Sequence, residues 1–574
     1  MTAPEKPWRL LPSCESISPT TGHDCRGTEK KLLDRRRFLE ATYRCAALAA
    51  VPVFLRSPAP GRVGAKRYSQ SCRPSVAAAE GVFNVRAYGA TGDGTMIDSP
   101  SINRAIDAAA GGGTIYFPPG TYASHSIRLK SNIGLHLDHG ATILAAPVPR
   151  EGTATGGYDP AEPQGAWEPY QDYGHNHWRN SLIWGEGLHD ISITGEGLIW
   201  GKGLSRGHAD DKDLPDTTKP GVGNKAIALK NCRNVLLRDF SILNGGWFGI
   251  LASGVDNLTI DNLMVDTNRD GMDIDCCRNV RISNCTVNSP VDDGICPKSS
   301  FALGYARATE NVTITNCFVT GGYVPGSVLD GTWKPICDSQ RPQATGRIKF
   351  GTESNGGFRN ITVSNCVFEN SRGFALETVD GALLEDIAIT GITMRGNLSS
   401  PFFLRLGARL RGPAGTKPGT LRRVLISNVT SSGSVQLPSS ITGLPEFPVE
   451  DIKISDVYLE QAGGADAAMT RVQPAEREKD YPEPTMFGAL PATGFFIRHA
   501  RNVEMSNVEI ATLAPDPRPA FALVDVEGAD FFRVRVPHGS GVAAFSLKNI
   551  SGFRVFGSPF VTDKTISSAT DETF

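Results

Sequence analysis

Histidine is scarce in this chain. There are 10 in 574 residues, and none lies between His208 and His499. Acid–base chemistry placed in that stretch falls to carboxylates. Net charge is almost absent as well: Lys+Arg 58 against Asp+Glu 60 gives −2. This argues against a nucleic-acid or membrane-surface partner held mainly by charge. Outside the leader no apolar run is long enough to span a bilayer. The 12 Cys include no paired CxxC of the metal-binding kind. No nucleotide loop or Ser-His-Asp arrangement stands out. Gly111-Gly112-Gly113 lacks the Gly-Lys-Ser/Thr ending of a phosphate loop and closes a helix instead of opening one. What remains is ordinary for a folded protein: 40% apolar and 21% charged residues sustain a sizeable core.

The N-terminal segment 1–80 differs from the rest. Asp34-Arg35-Arg36-Arg37-Phe38-Leu39-Glu40 resembles a bacterial twin-arginine export signal, although Asp34 and Glu40 depart from it. A moderately apolar run from Ala41 to Leu55 follows, and Ala77-Ala78-Ala79 offers a small-residue cleavage site. Residues 1–80 are therefore expected to be an export leader and linker. The mature protein is expected in the periplasm or outside the cell, with no membrane attachment once the leader is removed.

From about Ala226 one phrase recurs. It reads Asn234-Val-Leu-Leu-Arg-Asp-Phe240, Asn257-Leu-Thr-Ile-Asp-Asn-Leu263 and Asn279-Val-Arg-Ile-Ser-Asn-Cys285, then returns at 311–317, 360–366, 386–392, 423–429, 451–457 and 502–508. Each copy is a short alternating strand closed by a polar turn. The first copies start at 234, 257 and 279, an almost even spacing. A strand repeat of this period, with no helical pattern between copies, predicts a parallel β-helix whose stacked coils share one core. The last position of each copy forms a column that includes Cys285, Cys317 and Cys366. Here Cys serves as a small buried hydrophobe rather than a disulfide or metal ligand. The turn asparagines are expected to bond the backbone and stack coil on coil. At the N-terminal end, Asp98-Ser99-Pro100-Ser101 followed by Ile102, Ala105, Ile106 and Ala109 predicts an amphipathic helix, capped by Ser99, that lids the first coil. Segments 147–180 and 461–495 read as long loops.

Counting seven residues past the end of a copy leads from Phe240 to Trp247, from Leu263 to Asp270 and from Cys285 to Asp292. Neighbouring strands are about 4.8 Å apart, so this count places Asp270 and Asp292 side by side, with Trp247 available to support a sugar ring. Asp293 follows directly, and Asp273 and Asp275 are close. Clustered carboxylates raise one another's pKa, a cost that points to use. Glycoside hydrolysis by an acid and a base, an oxygen-ligand calcium site, or plain turn aspartates on a solvated face are the three readings. The column favours the first.

Asn268-Arg269-Asp270-Gly271-Met272-Asp273 and Asp292-Asp293-Gly294-Ile295-Cys296-Pro297-Lys298-Ser299 resemble the motifs of glycoside hydrolase family 28. That family comprises polygalacturonases and rhamnogalacturonan hydrolases. Phe83 to Gly94 resembles the opening of pectin-degrading β-helix enzymes. The resemblance covers about residues 81–560. It implies an all-β, single-stranded right-handed parallel β-helix over 81–574 that hydrolyses α-linked galacturonate- or rhamnose-containing pectic chains with inversion. It also implies Asp292 as general acid and Asp270 and Asp293 as the groups that hold and activate water, with no cofactor or metal; a monomer is expected.

The pattern breaks where the family carries Gly-His-Gly and then Arg-Ile-Lys. The first coil reads Thr345-Gly346-Arg347-Ile348-Lys349 without His, and the counterpart of Arg-Ile-Lys is Ala375-Leu376-Glu377. Glu377 would repel a uronate unless bases offset it. Lys298, Arg347, Lys349 and Arg405 are the candidates to do so. Glu353 and Glu377, one coil apart in sequence, are expected to form a second acidic pair on adjacent coils. His175 and His177 lie in a loop that can reach the cleft from above, His177 being taken as a substrate contact. The insert Gly321–Arg341 is expected to block one end of the cleft and make the enzyme exo-acting. A calcium-dependent lyase and a non-catalytic carbohydrate-binding β-helix remain as alternatives.

Overall fold

The computed structural model describes residues 81–149, 152–207, 214–433, 435–537 and 541–574. The leader motif lies outside the described residues. Among these, no helix is long and apolar enough to cross a membrane.

The chain from Ala78 onward is one compact unit, wound into parallel coils of three strand faces. The repeat forms the first face. Arg233–Arg238, Asp256–Asp261, Arg278–Ser283, Thr309–Thr315 and Phe358–Ser364 pair in parallel, with Val235, Leu258, Val280, Val312 and Ile361 in one row. A three-residue strand follows on the second face, as in Ser241–Leu243, Met264–Asp266 and Thr286–Asn288. The third face carries Lys225–Lys230, Phe248–Ser253, Asp270–Asp275 and Ile295–Lys298. A bridge from Ile295 to Ile348 continues it into Lys349–Phe350, Phe374–Thr378 and Phe402–Leu406.

The predicted column is the core. Phe240, Leu263, Cys285, Cys317, Cys366, Ile392, Val429, Val457 and Val508 are each at most 2% exposed, and all eight described cysteines are free. The turn asparagines work somewhat differently from expectation. Asn234, Asn257, Asn279, Asn311 and Asn360 all have φ between 53° and 57°, the left-handed region in which Asn is the most tolerant side chain after Gly. Their amides then bond one another rather than the backbone: Asn257 to Asn234 at 3.0 Å, Asn311 to Asn279 at 3.1 Å and Asn360 to Asn311 at 2.8 Å. Asn311→Gly keeps the backbone and removes two rungs of this ladder, whereas Asn311→Ala adds left-handed strain of about 1–2 kcal/mol. Thermal unfolding should therefore rank wild type above N311G and N311G above N311A.

The lid helix spans Ser99–Ala108, with Pro100 in its first turn and Ile102, Ala105, Ile106 and Ala109 buried at 0–1% exposure. Its cap residue is Asp98, not Ser99. The Asp98 side chain makes no cap bond and instead accepts from the Thr91 and Gly92 amides at 2.8 and 2.9 Å, tying the preceding turn to the lid. The far end is closed in a way the repeat did not announce. Lys564–Thr573 pairs antiparallel with Phe545–Phe556, and Phe574 stacks on Phe545 at 5.5 Å.

Candidate active site

The carboxylates sit on the third face, where Met272, Ile274 and Ile295 enter the core and Asp273 lies on the outer side. The register corrects the seven-residue count. Phe248 pairs with Asp270 and Met272 pairs with Ile295, so the second coil is one residue longer than the first. The extra residue falls in the turn before Ile295, and the column reads Phe248, Asp270, Asp293. The Asp293 amide donates to Asp270 Oδ1 at 3.3 Å and to Asp292 Oδ1 at 3.1 Å. Asp292 lies one residue outside this column and is the accessible member: its side chain is 19% exposed, against 7% for Asp270 and 4% for Asp293.

Three cationic side chains hold the cluster together, Lys298, Arg347 and Lys349. Lys298 Nζ lies 3.2 Å from Glu353 and 3.8 Å from both Asp270 and Asp273. Burial opposes its charge, but Asp273, Glu353 and Asp270 hold its pKa well above the usual lysine range. Burial, with Asp292 and Asp273 nearby, pushes Asp270 well up. Asp293 behaves oppositely: burial would raise it, but Arg347 at 2.8 Å and Lys349 at 3.4 Å outweigh this and keep it below the ordinary value. Asp270, Asp273 and Cys296 place possible metal-ligand atoms within 4.8 Å of one another. Burial and the carboxylates push the Cys296 thiol well up, and the set lacks the all-oxygen donors calcium takes.

Arg347 and Lys349 thus join the cluster through Asp293. Arg347 also binds Glu483 at 2.8 Å, and Glu483 in turn holds Arg372 at 3.0 Å. Glu377 is fully buried, 3.7 Å from Lys349, with neither oxygen hydrogen-bonded. Burial raises it to about 7, against the pull of Lys349 and Arg347. A carboxyl group raised in the folded state contributes stability below its unfolded pKa of about 4.5, which is lost as pH rises through about 7. Glu377→Gln is therefore expected to gain on wild type as pH increases from 4.5 to 8, by up to about 3 kcal/mol, read as the difference between their unfolding curves.

Several expectations are corrected. Trp247 is fully buried; Arg269 covers its ring at 4.3 Å and reaches Asp292 at 3.6 Å, so the indole supports an arginine rather than a sugar. His177 turns away from the cluster. Its Nδ1–H donates to the Tyr173 carbonyl at 2.8 Å, and its ring stacks on the Tyr173 ring at 3.9 Å. His175 is the one that enters: its Nε2 lies 3.3 Å from Asp273 and 3.7 Å from Glu353. A Cβ on Gly174 would meet the Trp247 ring at 2.6 Å, so the glycine lets this loop pack close enough for His175 to arrive. The cluster is thus not purely carboxylate. Glu353 and Glu377 are not a stacked pair. Extending the register of Lys349 with Ala375 sets Gly351, not Glu353, beside Glu377, and Glu353 belongs to Lys298, His175 and Arg411, which hold it well below the carboxylate range against burial.

Arg405 does not reach the carboxylates. It donates to the carbonyls of Gly443 at 3.2 Å and Glu476 at 2.9 Å, pinning the 461–494 loop against the third face. Burial and Arg498 lower it to about 10. That loop supplies Glu483 and Tyr481, which sequence reading missed; only its length marked it. The insert Gly321–Arg341 packs on the second face instead, where Asp266 accepts from the Gly326 and Val328 amides at 2.7 and 3.1 Å. The loops flanking the carboxylates are 147–180 and 461–494.

Comparison with known proteins fits this geometry. Residues 82–146 match the family described as rhamnogalacturonase A/epimerase, pectate lyase-like, and residues 217–334 match the right handed beta helix region. A probable polygalacturonase of Vitis vinifera is 22% identical over 429 residues, covering 71% of this chain and 80% of that protein. An exo-poly-alpha-D-galacturonosidase of Dickeya chrysanthemi is 26% identical over 301 residues, 44% of this chain and 47% of that one. The solved structure of a Yersinia enterocolitica family 28 exopolygalacturonase is 17% identical with a TM-score of 0.53, covering 79% of this chain and 78% of that one. The chain is an all-β, right-handed parallel β-helix protein, similar over most of its length to a protein named as a probable polygalacturonase.

Proposed function

We propose that the chain is an exported glycosidase that hydrolyses α-linked galacturonate- or rhamnose-containing pectic chains by a single, inverting displacement. The observation that carries this reading is the division of labour among three adjacent carboxylates: Asp292 is accessible, Asp270 is pushed up and Asp293 is held down. Environments that drive neighbouring carboxyl groups apart are how one site holds both an acid and a base. Asp292 reaches the glycosidic oxygen and protonates it as the bond breaks. Water is held between Asp270 and Asp293. Asp293, kept charged by Arg347, takes the proton of the water, and Asp270, with its raised pKa, holds that water in place. The mechanism needs no cofactor. Inversion is supported by the motif resemblance.

Relatives named as a polygalacturonase and an exo-poly-alpha-D-galacturonosidase support pectic substrates. Attack from a chain end is supported by the two long loops that flank the carboxylates. Product profiling on polygalacturonate and rhamnogalacturonan tests both points. Short products of one length are expected, unaffected by EDTA; random-length products would overturn the exo reading, and an EDTA-sensitive product absorbing in the ultraviolet would replace hydrolysis by elimination.

A further inference from the structure

The cations nearest the carboxylates are already used. Lys298 serves Glu353, Asp270 and Asp273; Arg347 serves Asp293 and Glu483; Lys349 serves Asp293 and Glu377; Arg411 serves Glu353 and Asp380. A uronate carboxylate arriving at any of them must compete with a buried internal partner. Arg409 is different. Among the described residues it has no ion pair, and its Nη1 is buried with no hydrogen-bond partner. A buried donor left unmet costs about 1–3 kcal/mol and marks a place where an acceptor belongs.

The backbone around Arg409 is anchored on both sides. The Ala408 amide donates to Glu478 O at 2.7 Å, Leu410 to Val379 O at 2.9 Å, and Arg411 to the Asp380 carboxylate at 3.0 Å. The guanidinium stands 5.0 Å from the ring centre of Tyr481, and Lys349 Nζ stands 5.2 Å from the same centre. The Tyr481 hydroxyl accepts from Lys349 and from Thr352 Oγ1, each at 3.1 Å, and the residue is still 39% exposed. One partly exposed aromatic ring therefore separates the unmet arginine from the lysine that touches Asp293. An arginine with an unmet Nη1 beside an aromatic is suited to a carboxylate attached to a sugar ring.

We infer that Arg409 and Tyr481 form a carboxylate-binding subsite that takes the acid group of a uronate next to the cleaved bond. This rests on the glycosidase reading for its place in the reaction, but the binding claim stands apart from catalysis. It moves uronate recognition off the Arg347 and Lys349 coil and onto the segment just after Phe402–Leu406.

Calorimetry on the full chain tests it, using trigalacturonate and the same trisaccharide with its carboxylates reduced to alcohols. Wild type is expected to bind the acid form about tenfold more tightly, the size of one charge-assisted hydrogen bond. R409Q should reduce this preference to about twofold or less, R409K should retain part of it, and binding of the reduced sugar should stay unchanged in both, which also certifies their fold. A preference that survives R409Q, or wild type that binds neither sugar, overturns the subsite. Carboxylate-dependent binding lost in R409Q without any hydrolysis by wild type would sustain the subsite and sink the glycosidase reading instead.

Discussion

Asp292→Asn is expected to lower kcat on pectic oligosaccharides by about 10³-fold, within the range that a positioned proton donor contributes, while KM changes little. The replacement is nearly isosteric. Its side-chain oxygen can still accept from the Asp293 amide, now 3.1 Å from Asp292, so the water-holding pair stays in place. What disappears is the proton for the leaving oxygen. The ion pair with Arg269 at 3.6 Å is lost too, but at a partly exposed position that costs less than about 1 kcal/mol, so the melting temperature should move by only a few degrees. A variant that hydrolyses at the wild-type rate would remove Asp292 from the mechanism.

Lys298→Met should have the largest effect on the folded protein. Its side chain is 6% exposed and its ammonium is within 3.8 Å of Asp270, Asp273 and Glu353. Removing it leaves three buried carboxylates with Arg411 as the remaining cation and His175 alongside. Losing one member of a buried charge network costs about 3–5 kcal/mol, and activity should fall with it because Lys298 sets the positions of Asp270 and Asp273. The pH dependence has a definite sign. In wild type Glu353 is held well below its usual pKa, so it contributes stability above the unfolded value that is lost only as pH falls through the lower folded one. Without Lys298 that contribution shrinks. The gap between variant and wild type should therefore be at its full size above about pH 4.5 and narrow as pH falls below it. A second change, Glu353→Gln, should recover part of the loss. Equal melting temperatures at pH 7.5 would show that Lys298 is not the centre of the cluster.

Much of the fold was legible because it repeats. The alternation in Asn279 to Cys285 and its copies specifies a strand, its turn and its inward column at once, and each copy confirms the next. The antiparallel strand Lys564–Thr573 was not legible, because it occurs once and carries no copy of the phrase. Within the site, the count set Asp270 beside Asp292, but a longer turn before Ile295 puts Asp293 in that column instead, and Lys298, Arg347 and Lys349 lie next to these carboxylates. Residues delivered by loops were not. Whether His175 or His177 enters depends on a close approach of Gly174 to Trp247, and Glu483 and Tyr481 arrive from a loop far along the chain from the strand they contact. Arg405 failed for the opposite reason: it is on a coil, but the loop it pins covers it.

The most direct test is proton NMR of the reaction in progress. Defined α-linked galacturonan and rhamnogalacturonan oligosaccharides are incubated with wild type, and the anomer of each newly formed reducing end is read before it equilibrates. The account predicts cleavage of at least one of them with initial formation of the β-anomer, and no cleavage by Asp292→Asn on the same timescale. Initial α-product, an unsaturated product, or no cleavage of any oligosaccharide by wild type would contradict it.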